Sequence, residues 1–146
     1  MTKPEYARPD WMTRAFNTLP LLLSRFGIAF FGSRILAVRG RKSGAWRTTP
    51  VNVLSHGGAR YLIAPRGETE WVRNLRAAGG GELRLGSRAE AFRARELPDA
   101  AKPELIRAYL GRWGWQVKPF FPGLGASSSD ETLLAAAPGY PTFRIE

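Results

Sequence analysis

Apolar residues along this chain fall into runs of differing period, separated by glycine- and proline-rich breaks. The first run, Leu19 to Val38, is almost continuously apolar but is interrupted by Pro20, Gly27 and Gly32 and carries Arg25 and Arg34. Asp10 is placed to cap a helix from about Trp11 to Phe26, which Pro20 kinks or breaks. The run falls short of the roughly 20 uninterrupted apolar residues that span a bilayer. It also lies too far into the chain, without a small-residue cleavage site, for a secretory signal. The pattern predicts a helix packing on the domain, with a helix lying at a lipid interface as the alternative.

Beyond Val38 the period shortens. Trp46–Ser55 and Arg60–Pro65 read as two strands, with His56-Gly57-Gly58 as the turn between them. Glu68 or Thr69 caps a short helix through about Ala78, and Gly79-Gly80-Gly81 ends it. Glu82–Gly86 and Ala89–Glu96 read as a second hairpin. Asp99 starts a helix over about Ala100–Trp113. A loop rich in Gly, Pro and Phe follows, then a helix to Ala137 capped by Ser129 or Asp130, and a last strand over Pro141–Ile145. Hairpins with helices between them predict an α+β fold with a mostly antiparallel sheet or small barrel. The 146 residues, 44% of them hydrophobic, suit one domain over 1–146, with 1–34 as an N-terminal helical segment.

Composition narrows the chemistry. There is no cysteine and one histidine, His56, so thiolate nucleophiles, Cys-ligated metals and His clusters drop out. His56 reads as a turn residue. The absence of cysteine fits a reducing, cytoplasmic setting. Net charge is +10, and its distribution is uneven: no acidic residue stands between Asp10 and Glu68, while nine Arg or Lys do (Arg14, Arg25, Arg34, Arg39, Arg41, Lys42, Arg47, Arg60 and Arg66). Such a field attracts an anionic ligand, a nucleic acid or an anionic membrane.

The cations concentrate in Val38-Arg39-Gly40-Arg41-Lys42-Ser43-Gly44-Ala45-Trp46-Arg47-Thr48-Thr49-Pro50. Glycine turns let backbone N–H groups converge on an anion, Arg grips phosphate with two donors, and hydroxyls add more. The spacing is not that of a Walker A loop. On its own the segment fits both a phosphate or polycarboxylate site and a solvated basic turn.

Four segments in order carry a family resemblance: Gly40-Arg41-Lys42-Ser43-Gly44, Arg47-Thr48-Thr49-Pro50, Tyr61-Leu62-Ile63-Ala64-Pro65-Arg66-Gly67 and Trp71-Val72-Arg73-Asn74-Leu75. Together they resemble the deazaflavin (F420)-dependent nitroreductase family, the deazaflavin-dependent oxidoreductases and quinone reductases. The resemblance is good over about 35–97 and weak at both ends. It implies a split β-barrel, FMN-binding-like, with flanking helices. It implies binding of coenzyme F420, whose phosphate and oligoglutamate tail are anionic. It assigns Arg41, Lys42 and Ser43 to the phosphate and tail, and Arg47, Thr48, Thr49, Pro50, Val51 and Asn52 to the strand beside the coenzyme. Ala64, Pro65 and Arg66, then Trp71 and Asn74, complete the cofactor set. The activity implied is hydride transfer from reduced F420 to a planar apolar acceptor: a quinone, nitroaromatic or enone.

The chain departs from the family in two places. Gly67-Glu68-Thr69-Glu70 is short and acidic. Where the family covers its acceptor with tyrosines, this chain offers Trp113, Trp115, Phe120 and Phe121, with Tyr109 as the nearest phenol. Trp113, Trp115 and Phe120 are therefore the expected substrate-binding residues, and no catalytic acid is assigned. The rival readings are a basic nucleic-acid-binding module, although no specific nucleic-acid motif is present, and the same fold holding FMN or haem. No metal is expected. The partner expected is a small-molecule acceptor, with at most peripheral contact to an anionic membrane through the N-terminal segment.

Overall fold

A computed structural model describes residues 33–146, and it opens on a strand. The expected helix over 11–26 lies outside the described residues. The expected continuation of helix to Val38, and of a helical segment to residue 34, is corrected: Ser33–Arg39 is strand β1. It pairs with β2 on one side and β4 on the other. Ile35, Leu36, Ala37 and Val38 are all buried. A strand covered on both faces loses its alternation, so its apolar run looks the same as that of a buried helix.

The remaining strands are β2 (Trp46–His56), β3 (Ala59–Ile63), β4 (Gly80–Leu85), β5 (Arg88–Glu96) and β6 (Thr142–Ile145). They close an antiparallel barrel in the order β1-β2-β3-β6-β5-β4. Helices α1 (Glu70–Ala78), α2 (Lys102–Val117) and α3 (Asp130–Ala136) flank it. This is the α+β split barrel that the sequence implies. The hairpins lie where expected, and Ser129 caps α3 by accepting from the Thr132 N–H at 3.1 Å. The helix after Asp99 begins with a short 3-10 turn, Asp99–Ala101, and runs on to Val117.

Two apolar clusters hold the fold. Leu36, Val38, Val53, Leu62, Leu83, Phe92, Phe143 and Ile145 fill the barrel, with Val72 and Leu75 of α1 packed among them. Outside it, Ile106, Tyr109, Leu110, Trp113 and Val117 of α2 pack with Leu54, Ile63, Phe121 and Leu133. Each fully buried side chain of this size contributes on the order of 1.5–3 kcal/mol. The glycines after α1 serve closure rather than flexibility. A Cβ on Gly80 would lie 2.3 Å from the Phe92 carbonyl oxygen, and one on Gly81 2.5 Å from that of Ala37. The backbones of β4, β5 and β1 come together there because no side chain stands between them.

Candidate functional site

The barrel splits where β2 parts from β3. Val53–His56 pairs with β3, but Trp46–Asn52 pairs with β1 alone. Meanwhile β3 continues along β6, and the Ala64 N–H donates to Pro141 O at 2.9 Å. Among the described residues no strand covers the outer edge of β2 between Trp46 and Asn52. The hairpin closure (Gly40 N–H to Ala45 O, 2.7 Å) sets the register. In that register Trp46, Thr48, Pro50 and Asn52 turn their backbone groups away from β1. Pro50, which has no N–H, therefore sits on the open edge, where no ladder bond is lost. Arg47, Thr48, Thr49, Pro50, Val51 and Asn52 thus form one lip of the split. Ala64, Pro65 and Arg66, which follow β3, form the other.

At one end of this lip stands the loop Arg41–Gly44. Gly44 has φ +76°, a conformation that favours glycine, and its N–H donates to Gly40 O at 2.8 Å. Ser43 Oγ accepts from the Ala45 N–H at 3.1 Å, so this oxygen is used inside the loop. The Asn74 side chain, 5% exposed, reaches the loop from α1. Its Oδ1 accepts both the Arg41 backbone N–H (3.0 Å) and Arg41 Nη1 (2.8 Å). Glu70 Oε1 takes the same Nη1 at 2.8 Å, and Glu70 Oε2 lies 3.4 Å from Arg73. Lys42 and Arg47 are exposed and have no partner among the described residues. The N–H groups of Lys42 and Ser43 are equally free.

At the other end, α2 meets the split. Asn52 Nδ2 donates to Gln116 Oε1 at 3.2 Å. The Arg66 guanidinium lies 5.0 Å over the Phe120 ring, and the Tyr140 hydroxyl donates to Phe120 O at 2.7 Å. Trp115 is 68% exposed, with its indole N–H on Arg112 O. Trp113 is a correction to the expected acceptor set. It has no exposed surface and packs 5.0 Å from the Tyr109 ring inside the α2 cluster. Phe121 is likewise core. Tyr109 is buried too; burial pushes its phenol up to about 12, against a weaker opposing hydrogen bond from Asn52. It therefore stays neutral and enclosed. His56 binds Glu104 at 2.5 Å, away from the split. Trp71 packs on Phe143, with ring centroids 6.2 Å apart, and half-buries its indole.

Sequence reasoning missed three participants. Gln116 and Tyr140 hold the α2 end in place, and neither belongs to a motif. Glu70 is the third; its only signal is the acidic character of the segment before Trp71. No group of residues among those described could hold a metal ion.

The donor set suits an elongated polyanion. It offers two cations and loop amides that have no partner among the described residues, with Arg66 further along. The open strand edge beside it is long enough for an extended ligand. Fold and site together define a split barrel with a basic loop beside an open strand edge. The sequence matches the model of the F420H(2)-dependent quinone reductase family over residues 22–115, and the chain belongs to that family. It is thereby an F420-dependent oxidoreductase. No curated protein sequence matches it. Among solved structures, it is similar to a protein of unknown function from Agrobacterium tumefaciens (TM-score 0.58, 18% identity, 99% of this chain and 58% of the other). It is also similar to a protein described as a domain-swapped dimer (0.56, 16%, 94% and 98%). A third is an F420-H2 dependent reductase (0.52, 17%, 79% and 94%). These likenesses concern the fold.

Proposed function

We propose that the chain binds reduced F420 along the open edge of β2, with its anionic part at Lys42, Ser43 and Arg47, and passes a hydride to a planar apolar acceptor. The observation that carries this reading is the coincidence of a strand edge and cations that have no partner among the described residues with exposed aromatics, Trp115 and Phe120, at the other end. When bound, the coenzyme supplies the hydride. Lys42, Arg47 and the loop amides anchor it by charge and hydrogen bonds. Thr48, Thr49, Pro50, Val51 and Asn52 flank its length, opposite Ala64, Pro65 and Arg66. Trp115 and Phe120 offer flat apolar surface to a quinone, nitroaromatic or enone. Arg66 places a cation beside that surface, where charge develops on the accepting group. With Tyr109 enclosed in the α2 cluster, the balancing proton is assigned to solvent or a backbone donor.

Titration of the purified protein with F420, and separately with FMN, tests the reading. Quenching of deazaflavin fluorescence is expected, followed by loss of reduced F420 when a quinone is added. Lys42→Ala combined with Arg47→Ala weakens F420 binding roughly ten- to a hundredfold, as partly solvated charge-assisted hydrogen bonds do. Tight FMN binding without F420 binding overturns the proposal.

A further inference from the structure

We propose that Glu70 is a resident carboxylate of the anion loop, which the coenzyme's anionic tail displaces from Arg41; this rests on the F420 reading above. Among the described residues, Arg41 is the loop cation already engaged. Its Nη1 sits between Asn74 Oδ1 and Glu70 Oε1, each at 2.8 Å. The two partners differ in kind. Asn74 is neutral and buried, and it also holds the Arg41 backbone N–H, so it fixes where the guanidinium stands. Glu70 is charged and 45% exposed, and its other oxygen lies 3.4 Å from Arg73 on its own helix. Its contribution is a negative charge on the same guanidinium that an incoming carboxylate or phosphate would use. Arg41 keeps its Nε and Nη2 donors free of other described partners, so it can turn toward a ligand without leaving Asn74.

A carboxylate in this position is a specificity device. An anion must offer Arg41 more than Glu70 does, and a single weak charge does not. A tail with several charges also meets Lys42, Arg47 and the loop amides, and it exchanges with Glu70 while held elsewhere. Such a competitor lowers the affinity of every anion that uses Arg41, and only one held at further contacts makes up the loss. The sign of its effect separates this role from a structural one. A residue that orients Arg41 weakens binding when removed, whereas a competitor strengthens it.

The experiment measures fluorescence titrations of the full chain and of Glu70→Gln with F420 and with a deazaflavin fragment lacking the phosphate and tail. Glu70→Gln is expected to bind F420 about threefold to fivefold more tightly, the size of a partly exposed ion pair, and to bind the fragment unchanged. Glu70→Ala, which removes the side chain's reach altogether, is expected to do the same. Unchanged or weaker F420 binding in both variants, with wild-type binding intact, overturns the role of Glu70 alone. Tighter binding of F420 and fragment alike overturns it as well, because the effect would not then involve the tail. Failure of the wild-type chain to bind F420 overturns the F420 reading, and this inference with it.

Discussion

A single atom, Asn74 Oδ1, joins the two best motifs of the chain. The Gly-Arg-Lys-Ser-Gly loop and the Trp-Val-Arg-Asn helix lie 33 positions apart in sequence, and Arg41 closes the distance with two hydrogen bonds to that oxygen. Motif order alone does not bring the two segments together; the coordinates do, through the hydrogen bonds of Arg41 to Asn74. The tryptophans on α2 teach the same lesson in reverse. Trp113 and Trp115 are two residues apart, so a helix turns them to different sides. One has no exposed surface and the other is 68% exposed. Trp113→Ala is expected to cost about 3–5 kcal/mol, the range for a large buried aromatic. Trp115→Ala is expected to stay within about 0.5 kcal/mol while raising the acceptor's KM. Urea unfolding and steady-state kinetics on both variants check this pair. A stable Trp113→Ala that impairs acceptor binding would return Trp113 to the site.

At the level of elements, glycine placement divides positions that need it from positions that do not. Gly81 admits no Cβ, because Ala37 O would lie 2.5 Å away on the neighbouring strand. Gly114, inside α2, has nothing within 4 Å of an added Cβ. Gly81→Ala should therefore destabilise by about 2 kcal/mol or more as the β1–β4 pairing shifts. Gly114→Ala should stabilise by about 0.5–1 kcal/mol through helix propensity. Thermal or urea unfolding of the two variants must move in opposite directions for the closure argument to stand. Elements were legible in the sequence wherever turn chemistry marked them. Gly57-Gly58 joins His56 to Ala59 across the β2–β3 hairpin, and Ser129 caps α3 as its place in the sequence implies. β1 was not legible. Its pairing with β2 and β4 is a long-range fact, and burial on both faces removes the period that identifies a strand.

At the scale of the molecule, the resemblance implied a split barrel, but the place where it splits needed coordinates. No local signal states that β2 pairs with β3 only from Val53 onward, and that divergence is what leaves the edge of β2 open. Charge on the whole molecule follows the same division, since composition gives +10 but not which groups meet. Arg76 bridges Glu68 and Glu96, tying α1 to β5 and to the loop before it. Arg60 grips Glu90 across to β5. Hydrogen bonds from Arg76 and Arg60 hold the carboxyls of Glu68 and Glu90 below the usual carboxylate range. Such groups stabilise the fold above their unfolded pKa of about 4.3, and the contribution disappears as pH falls through the depressed values. Tyr109 acts at the other limit. Burial raises its phenol to about 12, so its neutral form favours the fold up to its unfolded pKa of about 10, and that stabilisation drains away as pH rises further. Half-exposed Tyr140, also raised by burial, adds in the same direction. The urea midpoint should be nearly flat around neutrality, fall below about pH 4, and fall again above about pH 10. Arg60→Gln should shallow the acid limb without removing it, because Glu90 loses the hydrogen bond that lowers it while Glu68 keeps Arg76. Tyr109→Phe should shallow the alkaline limb without removing it, since Tyr140 remains. An alkaline limb as steep in Tyr109→Phe as in wild type would show that the Tyr109 phenol titrates in the fold as it does in the unfolded chain.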